Sequence, residues 1–206
     1  MPDSKAKLFV IAAPSGAGKT TLVKALVSRN PDLKFSISYT TRPKRRTEVN
    51  GVDYLFVDVD KFETLKKEGE LLEYAEVFDN FYATSRSQVE KHLAAGRNVV
   101  LEIDWQGARQ VRASMPECVT IFILPPSLEE LERRLRDRRT DSAEVIERRL
   151  RDAMSDMSHW DEFDYVIIND ELEQAVGDLE RVLAGSGHTC ARANVALRRV
   201  VSRIIG

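Results

Sequence analysis

Runs of consecutive apolar residues alternate along this chain with stretches whose apolar positions recur three or four residues apart. The first pattern suits a strand buried on both faces, the second a helix with one face on a core. Lys7–Ala13 reads KLFVIAA, and Lys19–Arg29 then places Leu22, Val23, Leu26 and Val27 at helical spacing before Pro31 stops it. Asn98–Ile103, Val119–Leu124 and Tyr165–Ile168 are further buried-strand candidates, each followed by a helix-like segment. With Phe35–Tyr39 they predict an α/β protein with a parallel five-stranded core sheet, because parallel neighbours need crossovers and the alternation supplies helices for them.

Two regions depart from that rhythm. Residues 40–87 hold a basic loop, TTRPKRRTEVNG, then short alternating runs around a polar helix, and read as a small α+β insertion. Residues 127–159 are helical and dense in charge, broken near Arg139–Ser142, where Thr140, Asp141 and Ser142 suit a new helix start. They read as two helices joined by a turn. The expected organisation is a core of residues 1–39, 88–126 and 160–190, the insertion 40–87, a helical lid 127–159 and a helical tail 191–206. The tail carries Arg192, Arg198, Arg199 and Arg203 and no acid. Its apolar positions, among them Val195, Val200 and Val201, suit packing on the core or on a second copy, and a small homo-oligomer is expected.

The 206 residues amount to about one domain with insertions at a typical ~150 residues per domain. Lys plus Arg number 31 against 33 Asp plus Glu, so no global field draws the chain to nucleic acid or anionic lipid, and any polyanion site is local. Two cysteines, Cys118 and Cys190, are too few for a disulfide scaffold and suit a reducing cytoplasm. No apolar run approaches the ~18 residues of a membrane span. His92, His159 and His188 stand apart from one another and from cysteine, which argues against a structural metal centre.

The chemistry is most legible after the first strand. KLFVIAA runs into A-P-S-G-A-G-K-T and then a helix, the setting that the phosphate-loop pattern requires. Pro14, Ser15, Gly16, Ala17, Gly18, Lys19, Thr20 and Thr21 are the candidate residues for binding a nucleoside triphosphate. Gly16 and Gly18 let backbone N–H groups turn around phosphate oxygens, Lys19 reaches the β and γ phosphates, and the Thr20 hydroxyl suits Mg²⁺. Ala13 stands where the pattern has its first glycine, so ordinary backbone angles are expected there. A base-reading N-K-x-D of switch GTPases is absent. A small-molecule kinase leads.

Beyond the loop come F-S-I-S-Y-T-T-R-P-K-R-R, L-L-E-Y-A-E-V-F, N-F-Y-A-T-S, L-E-I-D-W-Q-G and I-I-N-D. With these ordered motifs the chain resembles bacterial guanylate kinases over about Lys7 to Leu183. The resemblance implies a P-loop three-layer fold with a GMP-binding insertion and a helical lid. It also implies transfer of the γ-phosphoryl of ATP to GMP or dGMP, with Mg²⁺ as cofactor. Arg42 and Arg45 match the family's arginines for the GMP phosphate, suited because a guanidinium fork binds such oxygens bidentately. Tyr54 and Tyr82 supply hydroxyls beside them. Glu73 matches the carboxylate that accepts from guanine N1 and N2, and Ser38 and Thr84 the hydroxyls for O6. The resemblance counts Glu102 and Asp104 with the GMP-binding residues; Asp104 fits the family's pattern, and Glu102 stands where the family more often has Asp.

The same resemblance implies catalytic roles for Lys19 and for the lid arginines Arg134, Arg138 and Arg149, and places Asn169 near the ATP adenine. Surface i,i+4 pairs such as Glu132 with Arg136, Glu144 with Arg148 and Glu147 with Arg151 are the ordinary alternative for arginines in that stretch. Two other functions fit parts of the pattern: a non-catalytic guanylate-kinase-like interaction domain, and a P-loop kinase for another nucleoside monophosphate. The intact Gly18-Lys19-Thr20 argues against the first.

Overall fold

The computed structural model describes residues 5–77, 79–137 and 143–206. In chain order the elements begin β1 (Leu8–Ala12), α1 (Lys19–Arg29), β2 (Lys34–Phe35), β3 (Tyr39–Thr40), β4 (Leu55–Phe56), α2 (Val59–Lys67), β5 (Leu71–Val77), β6 (Asn80–Ser85) and α3 (Arg86–Ala94). They continue with β7 (Val99–Glu102), α4 (Trp105–Ser114), β8 (Val119–Leu124), α5 (Leu128–Arg136), α6 (Ala143–Met157), β9 (Tyr165–Ile168), α7 (Leu172–Leu183) and α8 (Val195–Ile205).

A five-stranded sheet runs in the order β2-β7-β1-β8-β9. Lys34 and Phe35 pair in parallel with Val99 and Val100, and Ile121–Leu124 pair in parallel with Tyr165–Ile168. Every residue of β1 is buried, as a central strand covered on both faces requires. The α/β class and the parallel sheet are those the apolar runs predict. One detail differs: Phe35–Tyr39 is not one strand. Lys34–Phe35 joins the parallel sheet, whereas Tyr39–Thr40 enters a second sheet ordered β4-β3-β6-β5.

The chain divides into two compact units, residues 1–10, 31–101 and 106–118 in one and residues 11–30, 102–105 and 119–206 in the other. The first contains the second sheet, whose β3 pairs in parallel with β4 and antiparallel with β6, and whose β5 pairs antiparallel with β6. Phe62, Leu65, Leu71 and Ala83 form its small core, with Tyr39, Val57 and Phe81 packed against them. Helix α2 enters that core through Phe62 and Leu65, and Asp58 caps its start, its carboxylate accepting the Lys61 N–H at 2.7 Å. Between Leu71 and Glu73 the β5–β6 register slips: Leu71 faces Ser85 and Glu73 faces Thr84. Leu72 is therefore the extra residue of a β-bulge, which is why Leu71, Leu72 and Glu73 are buried in succession where a regular strand would alternate.

In the second unit α1 packs against α7, and α5 against α6. Helix α8 buries Val201 and Ile204 and leaves Val195 and Val200 exposed. No helix among the described residues is long and apolar enough to cross a membrane.

Candidate active site

The phosphate loop is built by β1 and α1. Gly16 and Gly18 have φ values of 89° and 87°, in the left-handed region that a side chain disfavours. A Cβ on Gly16 would lie 2.9 Å from Leu131 and 3.0 Å from Leu135, the two fully buried leucines of α5. A Cβ on Gly18 would collide with the Asn169 amide nitrogen. Ala13 has no positive φ, so its methyl group is tolerated there. Pro14 and Ala17 are buried beneath the loop, whereas Ser15, Thr20 and Thr21 are exposed.

Helix α1 starts at Gly18 without a side-chain cap and without an acid in its first turn. No side chain of the helix itself takes up its leading N–H groups, and these, at the positive end of the dipole, suit a bound anion. Lys19 and Thr20 are held by the last residue of β7 and the one after it. Lys19 Nζ donates to the Ile103 carbonyl, and the Thr20 hydroxyl donates to the Glu102 carboxylate. Glu102 and Asp104 flank Ile103 on an extended segment, so both acids sit at the strand end that carries the lysine's acceptor.

Asn169 follows β9 and is buried, and its amide donates to the Ala17 carbonyl at 2.7 Å. It thus braces the phosphate loop from behind. Arg134 on α5 donates to the Asn169 carbonyl at 3.0 Å and to Glu130 at 2.7 Å. Glu130 also accepts two hydrogen bonds from Arg133, and together these two arginines hold its carboxyl down at about 2. Arg149 lies half-buried on α6. Arg138 falls outside the described residues. The surface pairing of Glu132 with Arg136 and of Glu147 with Arg151 is present, at 2.6 and 4.0 Å, while Arg148 sits 3.9 Å from Asp152.

The first unit gathers the insertion's candidates. Arg42 donates to both Glu48 oxygens, at 3.1 and 2.7 Å, in a pair whose side chains are 15% and 13% exposed. Its guanidinium lies 5.4 Å from the centre of the Tyr54 ring and 5.8 Å from that of Phe56. The Tyr54 and Tyr82 rings meet edge to face at 6.0 Å. The hydrogen bond to Glu48 raises the Arg42 pKa; desolvation opposes it, and a hydrogen bond with Tyr82 adds to it. In turn the Arg42 hydrogen bonds, joined by the Arg45 N–H at 2.7 Å, hold the Glu48 carboxyl below the usual carboxylate range. The Arg45 side chain is exposed. Glu48 has no place among the residues expected from the motifs, yet it organises the basic loop. Its only sequence signal is an acid three residues after Arg45 in an otherwise basic run.

Tyr82 and Thr84 are two apart on β6 and so share a face. The Thr84 hydroxyl donates to Glu73 at 2.7 Å, and Glu73 is only 5% exposed. Ser38 is half-buried just before β3, its carbonyl accepting the Leu55 N–H at 2.9 Å. A buried carboxylate on β5 and a guanidinium in the loop after β3 are thus held by the same small unit, a combination that suits a ligand with a hydrogen-bond-donating edge and an anionic end.

A family model described as guanylate kinase matches residues 5–186. A guanylate kinase of Alkalilimnicola ehrlichii is 50% identical over 97% of this chain and 98% of its own length. One of Pseudomonas fluorescens is 48% identical over the whole of both chains. A crystal structure of guanylate kinase from Anaplasma phagocytophilum superposes with a TM-score of 0.74 at 35% identity, covering 98% of this chain and 97% of that one.

Proposed function

This chain belongs to the guanylate kinase family, and from that premise we propose how its own residues divide the transfer of the γ-phosphoryl of ATP to GMP, giving ADP and GDP. The phosphate loop, Pro14 to Thr21, takes ATP: its N–H groups after the proline, together with the Lys19 ammonium, cradle the donor phosphates. This reading is carried by one observation, two left-handed glycines leading into an uncapped helix whose first residues are Lys19 and Thr20. On binding, Lys19 exchanges the Ile103 carbonyl for phosphate oxygens, so its charge arrives already aimed.

The Thr20 hydroxyl and the Glu102 carboxylate, two hard oxygen donors in contact, fit Mg²⁺ and would hold it together with the phosphates of ATP. The ion would neutralise phosphate charge there. Arg42, supported by Glu48, Tyr54 and Tyr82, takes the GMP phosphate with Arg45. Glu73 accepts from guanine N1–H and N2–H, while Ser38, or Thr84 if its one proton turns away from Glu73, donates to O6 and Asp104 contributes from its own strand end. A transferring phosphoryl spreads charge over its equatorial oxygens, so the protein's work is alignment and placement of cations. Lys19, Arg138 and Arg149 supply those cations. Arg134 and Asn169 hold the loop and border the adenine. A cytoplasmic location and a small homo-oligomer through the exposed Val195 and Val200 of α8 complete the reading.

Calorimetry with Arg42→Ala tests the division of labour. GMP affinity should fall steeply while ATP affinity stays near wild type, and unchanged GMP affinity would leave Arg42 a structural partner of Glu48. Arg149→Ala should do the reverse, cutting kcat far more than GMP affinity.

A further inference from the structure

Strand β5 is the outer strand of its sheet, so its far side carries N–H and C=O groups that no strand pairs. At Tyr74 a side chain pairs them. Gln110, on α4, accepts the Tyr74 N–H at 3.1 Å through Oε1 and donates to the Tyr74 carbonyl at 2.9 Å through Nε2. Only a side chain with both a carbonyl and an NH₂ completes this double contact, which mimics an antiparallel neighbour.

The clasped N–H belongs to the peptide that joins Glu73 to Tyr74. That peptide lies immediately after the bulge at Leu72, the feature that turns Glu73 inward against Thr84. A bulge leaves the ladder locally unpaired and free to slip. Gln110 supplies a fixed point just past it. Both of its hydrogen bonds go to main-chain atoms at an exposed edge, where water replaces them if the amide is removed. Its loss therefore falls on geometry more than on folding.

We propose that Gln110 is a positioning residue for base selection: by clasping the Tyr74 backbone it holds the Glu73 carboxylate at the depth and angle that meet the donor edge of guanine. The proposal rests on the reading of Glu73 as the base reader and adds to it a residue 36 positions away on another element. A small displacement of a hydrogen-bonding group is enough to cost an order of magnitude in such recognition.

The test compares kcat/KM for GMP and for IMP, which lacks the 2-amino group, at saturating ATP. It uses the wild-type chain, Gln110→Ala, Gln110→Glu, Glu73→Gln and the Glu73→Gln/Gln110→Ala double variant. Gln110→Ala should lower the preference for GMP by roughly tenfold through a raised KM for GMP, with kcat and the KM for ATP within about twofold of wild type. Gln110→Glu still accepts the Tyr74 N–H but no longer donates, and should fall between. In the Glu73→Gln background Gln110→Ala should change the preference no further, because Gln110 acts through Glu73. Equal losses in the two backgrounds overturn the proposal. An unchanged preference in Gln110→Ala beside a reduced one in Glu73→Gln overturns it too and leaves Glu73 as the base reader. An unchanged preference in Glu73→Gln overturns that reading and the proposal together.

Discussion

Thr84 donates its hydroxyl proton to the Glu73 carboxylate at 2.7 Å across the β5–β6 pair, so the acid proposed to read the base edge is already engaged from the facing strand. A guanine edge would add donors to the same carboxylate, and O6 would take a hydroxyl. Adenine presents an N1 lone pair to the acid and an amino group to the hydroxyl, leaving buried polar groups unpaired at about 1–3 kcal/mol each. Glu73→Gln should therefore lower kcat/KM for GMP several-fold to a hundredfold while AMP loses little or gains. Steady-state kinetics with both nucleotides gives the ratio, and equal losses would make Glu73 a structural residue.

Glu48→Gln tests the support of the phosphate fork. The variant keeps its shape but no longer attracts Arg42 as an ion. The arginine should lose its fixed orientation over Tyr54 and Phe56. KM for GMP should rise by roughly tenfold with KM for ATP unchanged. An unaltered KM for GMP would show that Arg42 is oriented without the pair.

How far these groups were legible in the sequence follows from how local their chemistry is. The phosphate loop could be read because strand, glycines, lysine and helix are contiguous. The parallel sheet could be read because β1, β7, β8 and β9 are apolar without alternation. The F-S-I-S-Y run alternates throughout, and alternation is silent on which sheet a strand joins, so the break between Phe35 and Tyr39 stayed hidden. The bulge at Leu72 appears only when β5 and β6 are paired. Glu48 looked like one polar residue in a basic loop, and Asn169, placed by resemblance near adenine, gives its amide to Ala17. Both contacts depend on chain geometry that no local pattern encodes.

Lys19→Ala should leave the fold intact and lower turnover by roughly a hundredfold or more, since a cation aimed at the transferring phosphoryl is lost from the site. Circular dichroism checks the fold and a coupled assay the rate. Near-normal turnover in a folded variant would contradict the donor assignment.

The Glu130 carboxyl, held at about 2 by Arg133 and Arg134, lies below the ordinary carboxylate value, so the sign is that of a group bound more tightly when charged. Its contribution to stability is present above the ordinary value of 4.5 and is lost as the pH falls through about 2. Carboxyl-carbon NMR should find Glu130 titrating in that low range, and in an Arg133→Ala/Arg134→Ala variant close to the ordinary value. An ordinary midpoint in the wild type would mean that the α5 pairs do not persist in solution.

A donor loop built on Lys19 is proposed to serve an acceptor read by Arg42 and Glu73. The most direct measurement is ADP release from ATP in the presence of GMP, AMP, dTMP or UMP in turn. Release should be rapid with GMP, the other three should be strongly rejected, and little release should occur with no acceptor, because closure excludes water. Comparable release with AMP, or release independent of any acceptor, would contradict that proposal.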